Sequence, residues 1–152
     1  GVWGVASWEK MGMPRGMRLA EIGPGKGTLM KDLLRACRSF KNFSTAVESV
    51  HLIETSLALR EEQAKALGGK KGEDGKSYAL SEEDGGKPVT WHFDIGELPE
   101  GPLLLVGQEL LDALPVHQFE YTAEGWRERV VVTDTDDSSK YHFKFVLADK
   151  PT

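Results

Sequence analysis

The sequence predicts an α/β domain built on a largely parallel sheet and extended by antiparallel β-strands. Three observations lead there. A short apolar strand at residues 17–22 is cut off by Gly23-Pro24-Gly25-Lys26-Gly27 and followed at once by an amphipathic helical pattern. Leu103-Leu104-Leu105-Val106 is apolar at every position, as a strand buried on both faces of a parallel sheet should be. After residue 115 the pattern changes to alternation of apolar and polar residues, the mark of antiparallel strands with one wet face.

Taken in order, Trp3, Ala6 or Ser7, and Met11 fall on one helical face, so the first residues read as the tail of a packed helix. Residues 17–22 form the first strand. Over 28–40, Leu29, Met30, Leu33, Leu34 and Cys37 make an apolar stripe, while Lys31, Asp32, Arg35 and Arg38 lie mostly on the wet face. Residues 50–54 are a second strand. Ser56 caps a second helix that runs to about Leu67 and stops at Gly68-Gly69. Between 68 and 87, six residues are glycine and nine are charged, which predicts a flexible, solvated insertion. Residues 88–93 resume as a third strand ending at Asp94, and 103–106 are the fourth. Over 115–148, His117, Phe119 and Tyr121, then 126–132, then Tyr141, Phe143, Phe145 and Leu147 predict a β-meander with turns at Glu124-Gly125 and 133–140.

Composition excludes several classes. Lys and Arg number 19 against 24 Asp and Glu, a net charge of −5, which argues against a protein held by nucleic-acid phosphates. Runs such as Leu103-Leu104-Leu105-Val106 fall far short of the ~20 apolar residues of a membrane-spanning helix. The single cysteine, Cys37, excludes an internal disulfide and a Cys-rich zinc site, and is compatible with a reducing compartment. His51, His92, His117 and His142 are dispersed. Asp134, Asp136 and Asp137 imitate the start of a calcium loop whose glycine and closing glutamate are missing, so no metal is expected.

The densest chemical signal is Glu21-Ile22-Gly23-Pro24-Gly25-Lys26-Gly27-Thr28. A P-loop would need glycine where Ala20 stands, and Glu21 would repel phosphates. A dinucleotide fingerprint would need glycine where Thr28 stands. A loop of the form E-x-G-x-G-x-G fits S-adenosyl-L-methionine, which carries no phosphate and does carry an ammonium and a sulfonium for Glu21 to face. Gly23, Gly25 and Gly27 let the backbone approach the ligand. Glu54, at the end of the second strand, can accept from both ribose hydroxyls, and Asp94, at the end of the third, from the adenine amine. Glu54 read alone could instead be a helix-start acid, Asp94 a turn residue, and Gly-Pro-Gly a tight connection. After the fourth strand, Gln108, Glu109 and Asp112 offer an amide and two carboxylates. Glu109 and Asp112 would share a face on a helical turn, and paired acids suit a guanidinium, which binds carboxylates in a planar fork.

These segments together, with Gln108-Glu109-Leu110-Leu111-Asp112-Ala113-Leu114-Pro115-Val116-His117-Gln118-Phe119 and Gly125-Trp126-Arg127-Glu128, resemble the MidA family. The chain differs in having Leu110 and Leu111 where the family usually has two phenylalanines, and Gln108 where Asn or His is usual. The resemblance implies a Rossmann-like methyltransferase sheet, of which 1–152 would be the incomplete central part. It implies S-adenosyl-L-methionine as cofactor, contacted by Glu21, Gly23, Gly25, Gly27, Glu54, Asp94 and Gln108. It further implies a protein arginine as acceptor, with Glu109 and Asp112 orienting it and taking its proton. Its partner would be a subunit of respiratory complex I, in the mitochondrial matrix for a eukaryotic source and the cytoplasm for a bacterial one. Two alternatives remain: a cofactor-binding scaffold that assists assembly without catalysis, and a P-loop-like nucleotide binder.

Overall fold

The computed structural model describes residues 1–71, 78–136 and 140–151. Two compact units divide the chain, Gly1–Leu110 and Leu111–Thr152. The first begins with α1 (Val2–Lys10), β1 (Met17–Ile22), α2 (Thr28–Cys37), α3 (Lys41–Ala46), β2 (Val47–Ile53) and α4 (Leu57–Ala66). Two short strands come next, β3 (Lys70–Lys71) and β4 (Tyr78–Ala79), then β5 (Pro88–His92) and β6 (Leu103–Val106). The second unit holds β7 (Gln118–Thr122), β8 (Gly125–Thr133) and β9 (Phe143–Leu147) as an antiparallel sheet in that order.

The first sheet has the order β3-β4-β5-β2-β1-β6, in which β5, β2, β1 and β6 are parallel and β3 and β4 antiparallel. This is a mixed α/β, Rossmann-like arrangement. Register places Ile22 beside Ile53, Ile53 beside His92, and Glu21 beside Val106. Four strands therefore stop nearly in line, and the residues just beyond them gather along one edge. Because side chains alternate across a sheet, Met17, Leu19, Val50, Leu52, Val89 and Leu104 share one face. That face forms the core with Val5 and Trp8 of α1, Met30, Leu33, Leu34 and Cys37 of α2, and Phe43 and Ala46 of α3. Each such large apolar side chain contributes ~1.5–3 kcal/mol on burial. Trp8 meets Phe43 edge-on at 5.4 Å between ring centres.

Several elements depart from the sequence expectation for identifiable reasons. The buried face of α1 is Gly4, Val5 and Trp8, leaving Trp3 and Met11 exposed. Trp8 donates its indole N–H to the Pro14 carbonyl at 2.8 Å, which turns that face inward. The helix expected over 28–40 stops at Cys37, and Phe40 is the N-cap of α3, whose Phe43 is 1% exposed. In the segment expected as a solvated insertion, β3 and β4 join the sheet, Leu80 is buried, and Arg38 reaches Asp84 and Glu83 at 2.7 and 2.6 Å. Residues 72–77 of that segment, like Asp137 of the calcium-like run, lie outside the described residues. The uniformly apolar β6 is an edge strand among the described residues, with Leu105 38% exposed, in contrast to the full burial its composition predicts. Among the described residues no helix is long and apolar enough to cross a membrane, and no three His, Cys, Asp or Glu residues cluster as metal ligands.

Candidate functional site

The glycine loop is set by the register. Gly23 leaves β1 bonded to β2 through its N–H to the Ile53 carbonyl at 3.1 Å, and the Gly27 N–H reaches the Pro24 carbonyl at 2.8 Å. Gly23, Gly25 and Gly27 all have positive φ, at 66°, 54° and 78°. Two of them also need the missing side chain for space. A Cβ on Gly23 would lie 2.9 Å from Leu110 Cδ1, and one on Gly27 would lie 3.3 Å from the Gln63 Cα. At Gly25 nothing stands within 4 Å, so the backbone there is open to a ligand.

Glu21 is the unusual group. It is 3% exposed, points at the head of α2, and hydrogen-bonds there to the Met30 backbone. Its Oε2 is buried with no partner among the described residues. Burial pushes its carboxyl up to about 7, against the lowering effect of the Met30 bond. An isolated buried carboxylate oxygen is costly to leave unsatisfied, which is the condition a cationic ligand relieves.

A cavity of about 420 Å³ brings together Glu21, Gly23, Gly25, Gln108 and Glu109, joined by Asp32 of α2. Glu109 adopts φ 49° and is exposed. It is therefore not on a helical turn with Asp112; the short 3-10 turn spans Leu111–Ala113, and Asp112 belongs to the second unit. The helical turn expected to carry both acids does not include Glu109, whose left-handed backbone precedes it. Glu54 is outside this cavity but is tied to it. Its Oε1 accepts from the Ser56 N–H at 2.8 Å and its Oε2 from Gln63 Nε2 at 3.2 Å. Asp94 comes after β5 at the same edge, exposed, and accepts from the Gly96 N–H at 2.7 Å, so it also caps a turn. A larger cleft of about 590 Å³ beside α4 and β5 contains none of the strand-end acids.

Three residues at this edge escape a reading of the sequence alone. Asp32 sits four residues beyond Thr28 and pairs with Arg35 at 3.0 Å. Arg60 donates to the Glu54 carbonyl at 2.8 Å and to the His92 carbonyl at 3.0 Å, clamping the ends of β2 and β5, and its guanidinium lies 4.0 Å from the Phe93 ring centre. Gln63 is completely buried. For Arg60 and Gln63 the available signal was a polar residue at an inward position of α4; Asp32 is exposed on α2 and carried none.

The residues present fit a cationic, phosphate-free ligand: the cradle has room at Gly25, and Glu21 holds an unpartnered buried oxygen. Comparison with known proteins agrees. The family described as "Putative S-adenosyl-L-methionine-dependent methyltransferase" matches residues 1–152. The chain is 39% identical over 154 residues to the mouse (Mus musculus) "Protein arginine methyltransferase NDUFAF7, mitochondrial", covering 97% of this chain and 35% of that protein. The Xenopus laevis and human (Homo sapiens) proteins of the same name are 38% and 35% identical, over 97% and 100% of this chain and 35% of each of theirs. The chain thus spans about a third of the length of these relatives. With a full-length family match, a Rossmann-like sheet and a glycine loop headed by a buried acid, this chain belongs to the S-adenosyl-L-methionine-dependent methyltransferase family.

Proposed function

We propose that this chain is the cofactor-holding part of a protein arginine methyltransferase. The observation that carries the reading is Glu21, a buried carboxyl with one oxygen unpartnered among the described residues, in a cavity lined by the glycine loop. When bound, S-adenosyl-L-methionine supplies a methyl group on a sulfonium. Glu21 receives the ligand's ammonium, and the loop from Gly23 to Gly27 passes along it. Glu54 accepts from the ribose hydroxyls with lone pairs left free by Ser56 and Gln63. Asp94 accepts from the adenine amine, and Gln108 closes the cavity beside Glu109.

The acceptor side is acidic. Glu109 lines the cavity with Asp32 and Glu21. A guanidinium is protonated throughout the ordinary pH range, so its nitrogen needs an oriented carboxylate that localises charge and takes the proton. We assign that task to Glu109, with Asp112 as a second acid on its chemistry alone. The relatives' names support a protein arginine as acceptor and a mitochondrial site. The matrix for a eukaryotic source, the cytoplasm for a bacterial one, and a complex I subunit as partner rest on the MidA resemblance.

Two measurements on the full-length protein test this. Calorimetry should show binding of S-adenosyl-L-methionine and none of ATP; the reverse result restores the P-loop reading. Glu109→Gln should lower methyl transfer to arginine by ~10²-fold or more, within the range of general-base contributions, with cofactor affinity held within about twofold. Unchanged turnover removes the role from Glu109, and cofactor binding without any transfer favours the scaffold.

A further inference from the structure

We propose that Gln63 is a positioning residue that locks the glycine loop and the ribose-binding carboxylate into one geometry, an inference that rests on the cofactor reading above. Gln63 lies on α4, fully buried, and engages every hydrogen-bonding group of its amide. Its Oε1 accepts from the Trp91 indole N–H at 2.8 Å; its Nε2 donates to the Gly25 carbonyl at 2.7 Å and to Glu54 Oε2 at 3.2 Å. The orientation of the amide is dictated by chemistry. An indole N–H can only donate, so the oxygen must face Trp91, and both N–H groups must then face the two acceptors.

One side chain therefore ties together three strands of the sheet: the loop after β1, the acid after β2, and Trp91 within β5. Glu54 alone would be free to rotate about its side-chain torsions. With Oε1 held by the Ser56 N–H and Oε2 by Gln63, the carboxylate plane is set, and each oxygen keeps a lone pair for a hydroxyl. The same helix turn presses on the loop, since a Cβ at Gly27 would meet the Gln63 backbone at 3.3 Å. A neutral amide is the group this place requires. It donates twice, accepts once and brings no charge against Glu54. Other charged contacts near by are directed elsewhere: the Arg60 guanidinium bonds backbone carbonyls and not the Glu54 carboxylate.

The test couples the residue to the ligand. In the full-length protein, affinities for S-adenosylhomocysteine and its 2′-deoxy analogue are measured for the wild type, Gln63→Leu and Gln63→Glu. Loss of the hydroxyl should weaken wild-type binding by ~30-fold, as for a hydrogen bond to a charged group. In Gln63→Leu the parent ligand should bind ~10-fold or more weakly, and deletion of the hydroxyl should then matter less than about fivefold, because the carboxylate is no longer aligned. Gln63→Glu keeps the acceptor for Trp91 and guards against a folding defect in the leucine variant. It places a carboxylate against Glu54, so its affinity should fall as pH rises and the pair loses its shared proton, with most of the loss absent in acid. Equal losses for both ligands in Gln63→Leu, or a pH profile of Gln63→Glu parallel to the wild type, overturn the positioning role while leaving the cofactor reading intact. Failure of the wild type to bind S-adenosylhomocysteine overturns both.

Discussion

Glu21 and His51 stand on neighbouring strands of one sheet, 3% and 5% exposed, yet their surroundings treat them in opposite ways. Register pairs Ala20 with His51 and Glu21 with Leu52, so the two side chains leave opposite faces. His51 has both nitrogens occupied: Nε2 meets Ser49 Oγ at 2.8 Å and Nδ1 meets His92 Nε2 at 2.9 Å. Glu21 has one carboxylate oxygen without a partner among the described residues. Burial disfavours the charged form of both, pushing the carboxyl up to about 7 and the imidazole down to about 4, the latter helped by His92 and Arg18. A buried polar group with all its hydrogen bonds made is part of the scaffold. The one without a partner belongs to a residue lining a cavity beside a glycine loop, which is why we assign Glu21 to ligand contact. That contrast in hydrogen bonding, and not burial, sets the two residues apart.

The largest expected effect is a pair of opposed pH slopes. The folded state holds a proton on Glu21 that the unfolded state has lost between about pH 4.5 and 7, so ligand-free stability falls through that window as pH rises. For His51 the unfolded state holds the extra proton between about pH 6.5 and 4, so its contribution is full above that window and is lost as pH falls through it. Each is of order 3 kcal/mol, and in the wild type they largely cancel. Denaturant unfolding from pH 4 to 8 should expose an acid limb in Glu21→Gln and a decline towards high pH in His51→Leu. Identical profiles for the two variants would dissolve the distinction.

Next in size is the cofactor. At pH 8 Glu21→Gln should weaken S-adenosyl-L-methionine binding by ~30-fold, the size of a charge-assisted hydrogen bond, whereas His51→Leu should stay within about twofold. Wild-type affinity should climb as pH rises through about 7, where the carboxyl ionises, and that climb should vanish in Glu21→Gln. A flat wild-type titration would show that the ligand does not meet Glu21. The smallest effect belongs to Gly25→Ala. Space is available there in the ligand-free protein, so in denaturant unfolding without ligand only the left-handed backbone is penalised, by ~1 kcal/mol.

The features legible in the residues themselves are local. The β1–loop–α2 sequence is legible because an apolar strand, a run of glycines and a 3.6-residue stripe each act over a few residues. Ser56 is recognisable as a cap, and its Oγ does accept from the Leu59 N–H at 3.3 Å. The meander strands β7, β8 and β9 fall where alternation places them. The buried face of α1 is not legible, because Val5 and Trp8 are chosen by what α2 and α3 present to them. Nor is the path of β3 and β4: a charged, glycine-rich segment looks solvated until a sheet edge is there to pair with it. Glu109 shows the same limit at the site, since its left-handed backbone separates it from the turn that carries Asp112.

Sequence alone determined the order of elements, the glycine loop and the acids at the strand ends, because these arise from periodicity and residue chemistry over short spans. Tertiary structure decided which of those groups are open and which are tied. Parallel strands bring together residues far apart in the chain, such as Gln63 with Gly25, 38 positions away, and with Trp91, 28 away. No local pattern encodes that meeting. It arises when the sheet aligns four strand ends and α4 delivers one buried amide among them, leaving Glu21 with an oxygen to spare.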